Sequence, residues 1–376
     1  FQFQLPDDFY DGKCDPCIPR TDYRMRAIVH GTMNSVYWQQ VESALHQASR
    51  DTGIDIQVTL YSPEDIDSDL TIPERMAADI AAIADNQNHP PDALIVTIPS
   101  PEVERAVTTA LQSGIPVFGF HTGYQVAAEL GVLGFVAQDE VTAGQVVAHQ
   151  LMQTTNATIR SGGGINNSTT EFIRVAYINH DIHNRALKDR YSGLQSVLMT
   201  ENENANNSGW SVEQVVINLK DVFESVNIME ENVFQDCPYD AVVLGGQEDV
   251  DIALSAYTGM VCSGKTLLVT FGVSETIQDA IINGQIAFAA APQDYLQSVF
   301  VGMMAGMYVT TGKKLSLPYE SSVYLSGPMI ITEDNVPTDT QQTCLEQAFP
   351  VCDVRGNPFE QDKATTINPN GLTERC

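Results

Sequence analysis

From residue 23 to residue 311 short apolar runs alternate with stretches of helical spacing, and this alternation constrains the fold more than any other feature of the chain. Tyr23–His30 reads as a buried strand. Val36–Thr52 then repeats apolar positions at Val41, Ala44, Leu45 and Ala48 and stops at Gly53, as a helix does. The same unit recurs: Ile54–Tyr61 as strand and Glu74–Asn86 as helix, then Ala93–Ile98 and Pro101–Gln112. Pro116–Phe120 and Gly134–Val136 follow as short strands and Val141–Met152 as a helix. A polar, glycine-rich run, Thr154–Thr170, interrupts the pattern and reads as a surface loop. Beyond it the expected strands are Ile173–Ile178, Val212–Asn218, Asp240–Leu244, Thr266–Phe271 and Ile286–Ala290. The helices between and after them are Asn184–Met199, Asp221–Ser225, Val250–Tyr257, Thr276–Ile282 and Leu296–Thr311.

Uniformly apolar strands separated by helices imply parallel sheets covered on both faces. Two such blocks, broken near residue 140, imply an α/β chain of two doubly wound parallel-sheet lobes joined by a hinge. The expected division is a cysteine-bearing extension at 1–22, a first lobe of 23–140 with 293–322, a second lobe of 141–292 with 323–340, and a cysteine-bearing tail at 341–376. A length of 376 residues suits two lobes better than one core, and 43% hydrophobic residues suffice to fill both.

Charge narrows the function. The formal net charge of −29 repels phosphate backbones and anionic membranes, so nucleic acid is not an expected partner. It suits solubility in a salty or calcium-containing medium. No run of 18 apolar residues exists, and the most apolar helix, near Val299–Val309, is short and carries glycines. The chain opens at Phe1, as expected of one from which a signal peptide has been removed or which has been trimmed. Of seven cysteines, Cys14, Cys17, Cys344, Cys352 and Cys376 lie in the terminal segments. Cys14 and Cys17 form C-x-x-C, but Pro16 and the lack of a following strand–helix unit argue against a redox motif, and no further ligands for zinc lie nearby. Structural disulfides are expected instead. Cys237 and Cys262 each precede a strand, and those strands should be neighbours, which brings the two thiols within bridging distance. An odd total leaves one thiol free or available to another chain, so oligomerisation through the tail is one expectation. Glycosylation sequons occur at Asn156, Asn166, Asn167 and Asn206, in segments that read as polar loops. Together these features point to an extracellular protein of a eukaryotic secretory route.

In doubly wound sheets ligands sit at the carboxyl ends of strands. After the first strand, Asn34 and Ser35 are either helix caps or ligand contacts. Tyr37 and Trp38 are adjacent, so a helix cannot bury both on one face; either one ring faces the cleft and stacks on a pyranose-like ring, or one ring is core and the other surface. His121 ends another strand with no serine or cysteine nucleophile to pair with, which favours a ligand hydrogen bond. Gln138 and Asp139 follow the next strand, and Asp139 suits ligand binding and helix capping equally. In the second block the candidates are Asn184, Arg190 on its helix, and Gln247 with Glu248 at a strand end; Gln293 follows the last strand. His180, Asp181 and His183 form a cluster that straddles a turn and suits a metal poorly. Asp65, Asp67 and Asp69 lack the glycine and glutamate of a calcium loop. Phosphate loops, dinucleotide fingerprints and nucleophile elbows are absent, and Gly162–Gly164 precedes no helix, so neither cofactor nor catalysis is expected.

Several stretches, in order, resemble the type I periplasmic solute-binding proteins of bacterial sugar importers, the fold of ribose- and galactose-binding proteins and of lac-repressor cores. They are Tyr37-Trp38-Gln39-Gln40-Val41, Gly114-Ile115-Pro116-Val117, and Val136-Ala137-Gln138-Asp139-Glu140 with Ala143-Gly144. Asn179-His180 with Asn184, Leu187, Arg190 and Gly193 follows, then Phe288-Ala289, Tyr295-Leu296-Gln297, and Ser326-Gly327-Pro328 with Thr332-Glu333-Asp334-Asn335. The resemblance covers residues 24–336. It implies hinge closure around a sugar or polyol, with Tyr37, Asp139, Asn184 and Arg190 as contacts, and a membrane receptor or transporter as a possible partner. No DNA-binding headpiece stands before residue 24, which sets the repressor branch aside. Two hydroxyl-binding aspartates of the branch are replaced, by Gly272 and Ala291. That loss keeps a second expectation open: a binding fold recruited as a structural or interaction module of an extracellular assembly.

Overall fold

The computed structural model describes residues 21–62, 70–86, 88–160, 172–182, 184–204, 209–258, 262, 265–313 and 322–336. Cys14, Cys17, Cys344, Cys352, Cys376, Asn166, Asn167, Asn206, His183 and the segments 63–69 and 162–164 lie outside the described residues.

Among the described residues two six-stranded sheets form the framework. The first holds β1 (Arg24–Thr32), β2 (Asp55–Tyr61), β3 (Ala93–Val96), β4 (Val117–His121), β5 (Gly134–Ala137) and β11 (Val323–Leu325), in the order β11-β5-β4-β3-β1-β2. The second holds β6 (Phe172–Asn179), β7 (Gly209–Val216), β8 (Ala241–Leu244), β9 (Leu267–Phe271), β10 (Phe288–Ala291) and β12 (Met329–Ile331), in the order β12-β10-β9-β8-β6-β7. Every pairing among these strands is parallel except β10 with β12. Helices cover both faces of each sheet, which is why β3, β5, β8 and β10 are buried at every position. On the first sheet α1 (Val36–Thr52) and α10 (Asp294–Thr311) pack on one face, and α2 (Ile72–Asp85) and α3 (Pro101–Gln112) on the other. On the second, α5 (Glu140–Arg160) and α6 (Arg185–Asn204) cover one face. The opposite face carries α7 (Val222–Ile228), a π-helical turn Met229–Phe234, α8 (Asp249–Tyr257) and α9 (Glu275–Ile282).

Local signals set the helix ends. Ser35 Oγ accepts from the Trp38 amide to start α1, and Gly53 ends it at φ 69°. Thr71 and Glu74 form a reciprocal capping box at α2. Three expectations need correction. The run from Thr154 is not wholly a loop: α5 continues through it to Arg160, and Asn156 is exposed on that helix. Residues 323–325, expected in the second lobe, pair with β5 of the first, and only β12 joins the second. A short helix, α4 (Tyr124–Leu130), lies where no element is expected, bounded by Gly123 and Gly131 in the left-handed region.

Among the described residues three chain segments pass between the sheets: β5 to α5, β10 to α10, and β11 to β12. Side chains bind them together. The Ser326 amide donates to the Ala137 carbonyl at 2.8 Å, and Ser326 Oγ to the Pro292 carbonyl at 3.1 Å. Gln297, itself buried, donates from Nε2 to Pro292 O at 2.8 Å and to Ser326 Oγ at 2.9 Å. The hinge predicted near residue 140 is thus a three-stranded connection with its own polar clasp.

Close packing of α5 on α6 depends on glycine. A β-carbon at Gly144 would fall on the backbone carbonyl of Arg190, and one at Gly193 on that of Val141. Gly144→Ala is expected to lower stability by about 1–3 kcal/mol through forced helix separation, although alanine favours helix by about 1 kcal/mol. Urea unfolding checks this: the midpoint falls at unchanged slope, whereas an unchanged or higher midpoint contradicts it.

Candidate ligand cleft

The carboxyl ends of the strands and the opening turns of the helices that follow them supply the polar groups of the cleft. In the first lobe, Tyr37 Oη donates to Asp294 Oδ1 at 2.7 Å and lies 3.1 Å from His121 Nδ1. The phenol has one proton, already given to Asp294, so His121 Nδ1–H is the donor in the second bond. His121 ends β4 with a left-handed backbone, φ 67°, a conformation uncommon outside glycine and often found at functional sites. Its ring stacks on His30 at 5.6 Å, and His30 Nδ1 bonds Thr97 Oγ1 at 2.7 Å. Burial, and then the neighbouring His121, hold His30 well below the ordinary imidazole range. Burial likewise raises the Tyr37 phenol well above its usual range, helped by Asp294 and by Glu248 and opposed by Arg190. Glu248 and Arg190 belong to the second lobe, so the two walls lie within electrostatic reach of each other.

In the second lobe, Arg190 is buried and its guanidinium is engaged. Nε and Nη2 donate to the two oxygens of buried Glu140 at 2.7 and 3.0 Å, and Nη1 donates to the Gly245 carbonyl at 2.8 Å. The group also lies 4.8 Å from the centre of the Phe271 ring. Burial alone would lower the arginine pKa, but the Glu140 charge and hydrogen bonds outweigh it and raise it. Gln138 Nε2 donates to the same Glu140 at 2.7 Å, which links this pair to the hinge. Nearby, His180 and Asp249 share a 2.6 Å hydrogen bond.

The structure distributes the sequence candidates unevenly. Tyr37, His121 and Arg190 stand around the cleft as described. Trp38 is the core ring of its pair, packed against Gly31 and edge-on to His30. Asn34 is exposed in the turn before α1, whose cap is Ser35. Asp139 Oδ1 caps α5 by accepting from the Thr142 amide at 3.0 Å. Its charge also acts on Tyr124, whose phenol is pushed up to about 12, first by burial and then by Asp139. Asn184 Oδ1 accepts from the Ala186 amide at the start of α6. Gln138 is wholly buried, while Gln247 is half-buried beside Gly272 and Gln293 starts α10 at φ 63°. Sequence reasoning missed Asp294, Glu140 as a partner of Arg190, and Asp249. Asp294 had a signal: a carboxylate immediately after Gln293, where a strand end runs into a helix start.

Between the lobes Arg185 Nη2 donates to Glu104 Oε1 at 3.3 Å, and Gln125 Nε2 donates to Asp189 Oδ2 at 3.0 Å. His121, Tyr124, Glu140 and Asp189 line the narrow crevice between these two bonds. The bonds themselves hold the two lobes close together there. Among the described residues no group of three histidine, cysteine, aspartate or glutamate side chains could hold a metal, and no helix is long and apolar enough to cross a membrane.

The family model described as "Periplasmic binding protein domain" matches residues 27–314. The chain belongs to the periplasmic binding protein family. Solved structures of similar fold include a carbohydrate transporter protein from Acidothermus cellulolyticus in complex with myo-inositol, 19% identical, with a TM-score of 0.66 over 85% of this chain and 96% of that one. A solute-binding protein from Actinobacillus succinogenes with bound D-allose is 16% identical, with a TM-score of 0.65 over 83% of this chain and 98% of that one. One from Burkholderia graminis in complex with D-arabinose is 13% identical, with a TM-score of 0.67 over 85% and 98%. No curated protein matches the chain in sequence. The family model thus bears out the resemblance to periplasmic binding proteins at the level of family, and the solved structures bear it out at the level of fold.

Proposed function

We propose that this periplasmic binding protein captures a small polar ligand, sugar- or polyol-like, between its lobes and acts outside the cytoplasm. The observation that carries this reading is the approach of two polar walls, Tyr37, His121 and Asp294 on one side and Glu248 with the Arg190–Glu140 pair on the other. Carboxylates and a histidine in such a cleft accept and donate to hydroxyls, and a hinge clasp lets the walls separate for entry. The family, and a disulfide that needs an oxidising compartment, support export.

The test is a thermal-shift screen with myo-inositol, D-allose, D-arabinose and a wider set of polyols. A true ligand at about a hundred times its Kd should raise Tm by about 5 °C. Asp294→Asn should weaken that ligand about tenfold by removing a charged acceptor. A flat response to every compound, with ordered oligomers on sizing, would overturn capture in favour of an assembly module.

A further inference from the structure

Asp249 is fully buried, yet both its oxygens are satisfied. Oδ2 accepts the Gly246 amide at 3.0 Å, and Oδ1 accepts Nδ1–H of His180 at 2.6 Å. The carboxylate sits at the first turn of α8, a short turn beyond the carboxyl end of β8, while His180 directly follows β6, the neighbouring strand. Gly246 makes room for the imidazole: a β-carbon there would lie 2.9 Å from His180 Cε1. With Nδ1 committed, Nε2 points away from Asp249. The His180 side chain keeps 13% of its surface exposed, and no hydrogen bond to Nε2 is formed by the described residues.

The other second-lobe candidates are already engaged. Arg190 is held by Glu140 and the Gly245 carbonyl, Asn184 starts α6, and Gly272 and Ala291 occupy the positions where the resemblance expects hydroxyl-binding aspartates. We propose that His180 Nε2 is the second lobe's hydrogen-bonding contact to a ligand oxygen, with Asp249 as the positioning residue behind it. This rests on the capture reading and names one of its contacts.

Protonation decides what Nε2 offers. Burial alone would lower the His180 pKa, but the charge and hydrogen bond of Asp249, then Glu248 and Asp181, outweigh it and raise it. Asp249 faces the ring from α8, Glu248 from the residue before that helix, and Asp181 from the adjoining loop. Below the raised pKa the ring is an imidazolium and Nε2–H donates a charge-assisted hydrogen bond to a hydroxyl or ring oxygen. Above it Nδ1–H stays on Asp249 and Nε2 becomes an acceptor. Affinity for a ligand held through an oxygen lone pair therefore falls as pH rises through that value. The same sign holds for folding: the His180–Asp249 pair contributes fully below the unfolded histidine value and is lost as pH rises through the folded one.

The experiment is calorimetric titration of the intact protein with myo-inositol, D-allose and D-arabinose from about pH 5.5 to about pH 9. His180→Asn separates the roles, because the asparagine amide can still donate to Asp249 but has no atom at the Nε2 position. The expected result is near-parental Tm, Kd weakened about tenfold at the low end of the range, and a flattened pH profile. Asp249→Asn should also flatten the profile. Unchanged Kd and pH profile in His180→Asn would overturn the proposal while leaving capture intact. Should that variant fail to fold, the His180 Cε1 proton resonance of the parent decides: a pKa that moves on sugar saturation supports the contact, and one that stays fixed overturns it. If none of the three sugars binds the parent, the contact is rejected for this ligand class along with that version of capture.

Discussion

Glu140→Ala is expected to destabilise the protein by about 3–5 kcal/mol, the range for stranding one member of a buried ion pair. Glu140 and Arg190 are 4% and 6% exposed, so water cannot solvate the guanidinium once its partner is gone. Gln138 Nε2 would lose its acceptor as well. The energy at stake is the desolvation of a charge that cannot shed its proton, rather than the net worth of the pair. The double variant Glu140→Ala/Arg190→Met should therefore recover most of the loss, since removing both charges also removes the desolvation penalty. Urea unfolding followed by Trp210, on β7 of the second sheet, measures both variants. A single variant within about 1 kcal/mol of the parent would show that the pair is solvated in solution.

Loss of the Cys237–Cys262 disulfide is the second large effect. The bridge closes a sequence separation of 25 residues that includes β8 and α8, and both sulfurs lie in the core on the α7–α9 side of the second sheet. By loop entropy such a cross-link contributes about 3 kcal/mol. It also anchors Asp236 and Cys237, whose backbones both occupy the left-handed region at φ 57° and 52°. The Cys237→Ser/Cys262→Ser variant should lose that amount, with Tm lower by about 6–10 °C. Reductant should lower the parent's Tm by a comparable margin and leave the variant's unchanged. Equal sensitivity of the two would mean that the stabilising cross-link lies elsewhere.

Cys237 and Cys262 also show what kind of inference the chain supports without coordinates. Each precedes a strand, adjacent parallel strands start at one end of a sheet, and β8 and β9 are neighbours. Elements were legible for the same reason, because a period of two or of 3.6 is written into local order. Misses fell where that signal is short or interrupted. The seven-residue α4 has too few turns to show a period, and α5 runs on into a polar stretch that reads as a loop. The three-residue β11 joins the first sheet by pairing with β5, a contact across almost two hundred positions that no local pattern marks.

The cleft divides in the same way. The alternation of strands and helices determined two doubly wound sheets, and with them the rule that the candidates lie just past strand ends, where Tyr37, His121, Asn184 and His180 stand. Adjacency of Tyr37 and Trp38 required the rings to part company, and packing against Gly31 decided that Trp38 went to the core. Only the tertiary structure decided which polar groups are spoken for: Arg190 by Glu140, 50 positions away, Tyr37 by Asp294, 257 away, and one nitrogen of His180 by Asp249, 69 away. Periodicity is a property of neighbours along the chain and can be read there. The strength of a polar pair depends on distance and on exclusion of water, and both exist only once the lobes have folded.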